Sequence, residues 1–111
     1  GEFEQAIEYL NDYDGEDEMI APMARGCVGD AYMELGNIEK AASYYMKAAD
    51  YTDNDFTTPL HLKKAALAYE KLEKYDDALK NYERIKTDYF KSFEQRDIDK
   101  YIARAKKLAK K

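Results

Sequence analysis

The sequence predicts an all-α protein made of antiparallel helical hairpins. Hydrophobic residues make up 45% of the 111 residues and charged residues 37%, with only two prolines and five glycines. Such a composition, with few helix breakers, is typical of helical proteins. Apolar residues also recur at three- and four-residue spacing in successive segments that short polar turns separate. The chain is long enough for one continuous core, so we expect a single domain over residues 1–111.

The clearest helical hairpin is predicted over residues 28–48, VGDAYMELGNIEKAASYYMKA. Its first helix carries Val28, Gly29 and Tyr32 at helical spacing, and its second carries Ile38, Ala41, Tyr45 and Ala48. Gly29 and Ala41 are small, which predicts that the two helices approach closely. Gly36 lies between the helices and is expected to turn the chain with a positive φ, which costs glycine little.

The N-terminal residues 1–13 predict the second helix of a hairpin whose first helix is missing. Phe3, Ile7 or Leu10 should therefore be more exposed than their counterparts in the next hairpin, and this surface could pair two chains into a homodimer. The acidic turn that follows, residues 12–18, is not predicted to bind calcium. The ligand spacing of a helix-loop-helix calcium site would put the first carboxylate at Leu10.

The rest of the chain predicts full hairpins over 20–51 and 58–89 and a capping helix over 92–110. Thr58 followed by proline predicts a helix cap, and Ser92 with Gln95 predicts a capping box. Glu73 stands where Gly36 stood, so a different geometry is expected at this turn. The charged outer positions of the last helix are typical of a terminal cap.

Charge is distributed unevenly along the chain. Residues 1–58 carry fourteen acidic and three basic side chains, and residues 59–111 carry nine and fifteen, which gives the net charge of −5. The basic half, above all Lys100–Lys111, could attract an anionic membrane or nucleic acid. Because the pI is near 4.9 and strong nucleic-acid binders are basic overall, solvated helix faces are the preferred interpretation, with no nucleic acid as partner.

Groups that could support catalysis are sparse. His61 is the only histidine and has no second catalytic group beside it in the pattern. Cys27 is predicted to lie on a buried stripe without a basic neighbour. That stripe comprises Ala24, Cys27, Val28, Ala31, Tyr32 and Leu35. Glycine-rich phosphate loops and paired metal-ligand motifs do not occur, so we predict a protein that is not an enzyme and has no cofactor or metal. A single cysteine permits no internal disulfide and leaves the compartment open.

The order of small and large residues in 28–48 resembles the tetratricopeptide repeat, and the resemblance extends over essentially the whole chain. It implies a right-handed α-α superhelix of antiparallel hairpins with a C-terminal capping helix. It also implies a non-catalytic scaffold whose first helices line a concave groove for a peptide or helix of a partner protein. By alignment the groove residues are Met23, Gly26, Asp30, Met33 and Glu34, followed by Leu60, Lys63, Leu67, Glu70 and Lys71.

The family's clamp for a C-terminal carboxylate is not implied here. It requires lysine and asparagine one turn apart, where this chain has Gly26 with Asp30 and Lys63 with Leu67. The mixed apolar and charged lining suits an extended or helical apolar segment. Tyr44 lies off the core stripe, as does Tyr51, which makes both candidates for exposed recognition.

A second resemblance concerns location. The pattern Tyr82-x-x-Ile85-x-x-x-Tyr89-x-x-Ser92 is similar to the repeats of bacterial cell-envelope proteins, and Leu62–Arg104 is similar to membrane-anchored ones. This implies a fragment from the periplasmic side of a membrane, with the N-terminal anchor and at least one helix missing, and a cytoplasmic location as the alternative. A structural spacer or self-association module is the alternative function.

Overall fold

Six α-helices follow one another along the part of the chain that the computed structural model describes, residues 1–11 and 19–110. They are α1 (Glu2–Asn11), α2 (Ile20–Glu34), α3 (Ile38–Tyr51), α4 (Thr57–Lys71), α5 (Tyr75–Asp88) and α6 (Ile98–Ala109). Each helix packs against the next, and no strand occurs in these two ranges. The molecule measures 39 × 29 × 16 Å, so the helices lie side by side in a thin layer. This confirms the predicted all-α helical-repeat fold.

The helices repeat with a constant step. From Ile20 to Thr57 and from Ile38 to Tyr75 the distance is 37 residues in each case, and the paired helices have equal lengths of 15 and 14 residues. The same step from Thr57 leads to Glu94, where a short 3-10 helix (Glu94–Asp97) begins and runs into α6. We therefore call α2, α4 and α6 the first helices, and α1, α3 and α5 the second helices.

Small side chains opposite tyrosines bring the helices of each hairpin together. Tyr45 on α3 is 4% exposed, and a Cβ built on Gly29 of α2 would lie 2.6 Å from Cε1 of its ring. This confirms that Gly29 is small because the helices approach closely. In the next hairpin Tyr82 and Ala66 are both fully buried in one cluster. That cluster joins α3, α4, α5 and α6 through Ala49, Leu62, Ala66, Ala78, Tyr82, Ile85, Tyr89, Ile98, Ile102 and Ala105.

The turn within each hairpin has the same backbone geometry. Gly36 has a φ of 80°, as predicted, and Glu73 has a φ of 60°. Both turns close with an amide that donates to a carbonyl five residues earlier: Asn37 to Tyr32 at 2.9 Å, and Lys74 to Tyr69 at 2.8 Å. The prediction of a different geometry at Glu73 is therefore wrong. The backbone hydrogen bonds that satisfy the last helical carbonyls determine the turn, and Glu73 adopts the left-handed conformation that they require.

Two predicted helix caps are also wrong. Helix α4 begins at Thr57 rather than after Thr58, because Oδ1 of Asn54 accepts from the Phe56 and Thr57 amides at 2.9 and 2.6 Å. An asparagine side chain that bonds to amides two and three residues onward makes a local turn. Ser92 forms no capping box, because its hydroxyl donates to the Tyr89 carbonyl at 2.7 Å.

The side chains of α1 were predicted to be more exposed than their counterparts in α3. Phe3 is 44% exposed, whereas its counterpart Ile38 is half-buried, so the prediction holds there. Ile7 is only 8% exposed because it packs with Val28 and Ala31 of α2, and its counterpart Ala42 is 2% exposed, so the predicted difference is small at that position. The side chain of Leu10 and the acidic turn at 12–18 lie outside the described part of the chain.

Candidate partner-binding surface

The first helices present one stripe of side chains each on a common surface, which we call the first-helix surface. These side chains recur at spacings of four, three and four residues, which places them on one helix face. They are Met23, Cys27, Asp30 and Glu34 in α2, Leu60, Lys64, Leu67 and Lys71 in α4, and Asp97, Tyr101, Arg104 and Leu108 at and within α6. All are exposed or half-buried. Ion pairs and a cation–π contact between neighbouring first helices show that the stripes lie side by side.

Most of the groove residues predicted from sequence lie on this surface or beside it. Met23 is 38% exposed and Leu67 is 37% exposed, so both offer apolar area. Leu60 is half-buried, as are Lys63 and Glu70 on the adjacent line of α4, while Asp30, Glu34 and Lys71 are exposed. Met33 is half-buried and packs against the core cluster that contains Tyr45. Its side chain therefore stabilises the hairpin as well as bordering the surface.

Gly26 does not line the surface as predicted, because it is buried under the His61 ring. A Cβ on Gly26 would lie 2.2 Å from Nε2 of that histidine, so only glycine fits here. His61 itself is 1% exposed, and its Nδ1 is 2.7 Å from the Thr57 carbonyl oxygen. A carbonyl only accepts hydrogen bonds, so Nδ1 carries the proton and donates it. His61 is thus a core residue between α2 and α4.

The prediction that Cys27 is buried is wrong, because its thiol is exposed. Val28 and Ala31 point toward α1, and Cys27 lies one position away on the same line as Met23 and Asp30. Leu35, predicted on the same buried stripe, is 40% exposed. Cys27 therefore belongs to the first-helix surface, where the sequence interpretation did not place it.

Two polar clusters, which sequence reasoning missed, join the helices at this surface. In the first, the Tyr45 hydroxyl donates to Asp30 at 2.5 Å, and Nζ of Lys64 is 3.2 Å from both oxygens of that carboxylate. In the second, the Tyr82 hydroxyl donates to Glu70, whose oxygens also accept from Arg104. Each cluster thus links a tyrosine of a second helix with a carboxylate and a cation from two neighbouring first helices.

The tyrosine hydroxyls in these clusters remain protonated over the whole physiological pH range. Burial, followed by the hydrogen bond to Asp30, raises the pKa of Tyr45 far above its usual value. Burial and the hydrogen bond to Glu70 raise the pKa of Tyr82 in the same way. Both hydroxyls therefore act as permanent donors, and they hold the two carboxylates at fixed positions on the surface.

The Tyr101 ring forms the centre of a group of cations at the α4–α6 side. Nζ of Lys63 lies 4.6 Å from the ring centroid, Cζ of Arg104 4.8 Å and Nζ of Lys100 6.0 Å. The ring also packs on Tyr82, with 5.4 Å between their centroids. We call this group, Lys63, Lys100, Tyr101 and Arg104, the Tyr101 cation cluster.

A separate furrow of about 670 Å³ runs along the outer side of α3. It is lined mainly by α3 residues, among them Ser43, Met46 and Lys47, and by the end of α4 around Tyr69. Tyr51, a predicted recognition residue, is 37% exposed at one end and lies under Arg25 at 4.6 Å. Tyr44, the other, is half-buried beside Tyr32, with 5.5 Å between their ring centroids.

Comparisons with known proteins find a similarity to one family of helical repeats in part of this chain. The fold and its repeated hairpins define the class of helical-repeat proteins, in which stacked units build extended binding surfaces. Residues 28–55, which run from α2 through α3 into the following connector, match the family model of the tetratricopeptide repeat. That match supports a protein-interaction scaffold in general terms. Neither the curated proteins nor the solved structures contain a match to the chain.

Two further findings concern metals and membranes. Among the described residues, no three or more His, Cys, Asp or Glu side chains are grouped so that they could hold a metal ion. In the same residues, every helix is too short or too polar to cross a lipid bilayer.

Proposed function

We propose that this protein is a non-catalytic scaffold that binds a peptide or helical segment of a partner protein along the first-helix surface. The observation that carries the proposal is the position of Leu67. This exposed apolar side chain lies one turn from Lys64 and one turn from Glu70, each of which belongs to a fixed polar cluster. An apolar anchor within a rigid polar frame is the usual organisation of a protein-binding surface.

The exposed thiol of Cys27 allows a direct test, because it is the only cysteine of the chain. A photoactivatable cross-linker attached to Cys27 should capture one specific partner when the full-length protein is illuminated in extract of its source cells. In the matched control, Cys27→Ser is combined with Ser43→Cys, which moves the linker to the α3 furrow. The control should capture that partner roughly tenfold less, because the furrow lies mainly on α3 and the first-helix surface on α2, α4 and α6.

A second variant separates the surface from the attachment point. Leu67→Glu places a charge on the exposed side chain and should abolish capture at Cys27 with the fold retained, as circular dichroism would verify. Capture only from the α3 furrow would refute the proposal and select the furrow. A cross-link between two copies of the chain, lost in Phe3→Glu, would select self-association through α1.

The proposed location is the bacterial cell envelope, on the periplasmic side of a membrane anchor, with the cytoplasm as the alternative. Its support is the similarity of Leu62–Arg104 to anchored envelope repeats. Cys27 tests this too: in intact cells that make the full-length protein, a maleimide that does not cross the inner membrane should label a periplasmic thiol. Labelling that occurs only after lysis would place the protein in the cytoplasm.

A further inference from the structure

The first-helix surface is divided by charge, and this division bears on what the partner carries. On α2 the exposed charged residues are Asp30 and Glu34, and Asp30 is neutralised by Lys64. At the α4–α6 side the Tyr101 cation cluster gathers three cations within 6.0 Å of one ring centroid. Of these two, only Glu34 then lies outside an ion pair among the described residues, whereas the α4–α6 side holds three cations beside Glu70, with the exposed Asp97 one turn before Tyr101.

Both oxygens of Glu70, the carboxylate that pairs with Arg104 of this cluster, already accept hydrogen bonds. Oε1 of Glu70 accepts from Nε of Arg104 at 3.0 Å, and Oε2 accepts from Nη2 of Arg104 at 2.7 Å as well as from the Tyr82 hydroxyl. Neither Lys63 nor Lys100 has an ion pair among the described residues. Both ammonium groups lie over the face of the Tyr101 ring. An aromatic face attracts a cation, but it does not replace the hydrogen bonds that a carboxylate would accept.

Like charges that share one aromatic ring repel each other, and an anion placed between them relieves that repulsion. Lys63 is half-buried, and its ammonium nitrogen lies 4.6 Å from the Tyr101 ring centroid. We propose, on the basis of the proposed function, that the Tyr101 cation cluster receives an Asp or Glu side chain of the bound protein segment. The partner is thus an acidic, partly apolar segment whose carboxylate lies against α4 and α6 while its apolar side chains contact Leu67.

Two labelled peptides of equal length test this inference, one alternating leucine with glutamate and the other leucine with glutamine. The glutamate peptide should bind the wild-type chain roughly tenfold more tightly in fluorescence anisotropy, because each exposed ion pair contributes a few-fold and at least two can form. In the double variant Lys63→Met, Lys100→Met the preference should disappear. Methionine retains an apolar side chain against the Tyr101 ring and removes only the charge.

The chain provides a matched control on α3. Lys47 lies 4.4 Å from the centroid of the Tyr44 ring, an arrangement like that of Lys63 and Tyr101, but away from the first-helix surface. Lys47→Met should retain the full preference for the glutamate peptide. An equal loss in Lys47→Met would overturn the inference, because the attraction would then arise from the net field of the chain.

The remaining outcomes separate this inference from the proposed function. If both peptides bind equally and Leu67→Glu abolishes both, the acidic-segment inference is refuted and the scaffold stands. If neither peptide binds, the inference fails together with the proposed surface. If a deoxythymidine oligonucleotide of equal charge or an anionic phosphatidylserine vesicle displaces the glutamate peptide and binds as tightly, the cluster is a general anion site and the inference is wrong.

Discussion

The hairpins α2–α3 and α4–α5 reach the same geometry with different residues. Their helix lengths and their 37-residue step are identical. Yet Tyr45 lies over a glycine, Gly29, whereas Tyr82 shares its buried cluster with Ala66, which is 37 residues after Gly29. The feature that both retain is a tyrosine whose hydroxyl donates to a carboxylate of the first helix. The tyrosine is thus kept at the equivalent position, while the glycine is replaced and the accepting carboxylate moves along the first helix, from Asp30 to Glu70.

The turns of the two hairpins also use different residues for the same backbone geometry. In α2–α3 the turn is Gly36-Asn37, and the Asn37 side chain accepts from the Lys40 amide at 3.2 Å. In α4–α5 the turn is Glu73-Lys74, which holds Glu73 in the left-handed region and leaves α5 without a side-chain cap. The second hairpin thus keeps the hydrogen-bond pattern of the turn at a higher conformational cost.

The largest expected effect comes from exchanging the small residues. Gly29→Ala should destabilise the protein by about 2 kcal/mol, because overpacking against the buried Tyr45 ring outweighs the better helix propensity of alanine. Ala66→Gly should also destabilise, by about 1 kcal/mol, through lost helix propensity. The same methyl group thus opposes the first hairpin and favours the second. Urea denaturation of the two variants measures both values.

A double variant tests the stated cause. Tyr45→Leu removes the ring that the new methyl group would contact, so adding Gly29→Ala to it should cost far less than in the wild type. If Gly29→Ala is as stable as the wild type, the close approach of α2 and α3 does not restrict this position, and the contrast between the hairpins disappears.

The next effect concerns the turns. Replacing Glu73-Lys74 with Gly-Asn should stabilise the protein by about 1.5 kcal/mol, because glycine relieves the left-handed strain and asparagine supplies the missing cap. The reverse exchange at Gly36-Asn37 should destabilise it by a similar amount. Thermal or urea unfolding of both variants gives the comparison. A turn exchange at 73–74 that leaves stability unchanged would show that Glu73 is not strained.

The sequence predicted the fold because its strongest signals are local. Helical spacing, breakers and a glycine at a turn act within a few residues, and Gly36 behaves as its neighbours indicate. The failures involve competition between nearby groups. Asn54 took the capping role predicted for Thr58, and Ser92 bonded to a carbonyl rather than to an amide. Pattern alone does not determine which of several side chains reaches a backbone group first.

The surface was less predictable because its contacts join distant parts of the chain. The pairs Asp30–Lys64 and Glu70–Arg104 are each 34 residues apart, and no spacing within one helix indicates them. Cys27 was predicted to be buried because it precedes the buried Val28. Neighbouring residues in a helix are 100° apart around the axis, so a residue beside a buried stripe is easily assigned to it. A constant step of 37 residues would have aligned it with the half-buried Lys64 and placed both on one surface.

The junctions between first helices provide a further comparison. His61 is buried between α2 and α4, and 37 residues later the equivalent position is Ile98, which is also 1% exposed. The histidine ring packs against Gly26 and lies near the charges of Lys64 and Asp30. One junction therefore contains a titratable group and the other an aliphatic one, which predicts that only the first responds to mild acid.

The smallest effect is the pH dependence at this junction. Burial lowers the pKa of His61 below its ordinary value of 6.5, and the nearby Lys64 charge acts in the same direction, although the hydrogen bond to Thr57 and the Asp30 charge oppose it. As the pH falls, His61 is therefore protonated in the unfolded chain before it is protonated in the folded chain. The contribution of His61 to stability is fully present above pH 6.5 and is lost as the pH falls through 6.5 toward the folded pKa.

Between pH 7 and pH 6 this loss should stay below about 1 kcal/mol, because protonation of the unfolded histidine gains no more than that. His61→Ile, which copies the second junction, should remove this change in the free energy of unfolding, measured by urea denaturation at each pH. Carboxylates do not titrate over this interval. If the free energy of unfolding changes equally with pH in the variant and the wild type, His61 accepts its proton in the folded chain without opening the junction.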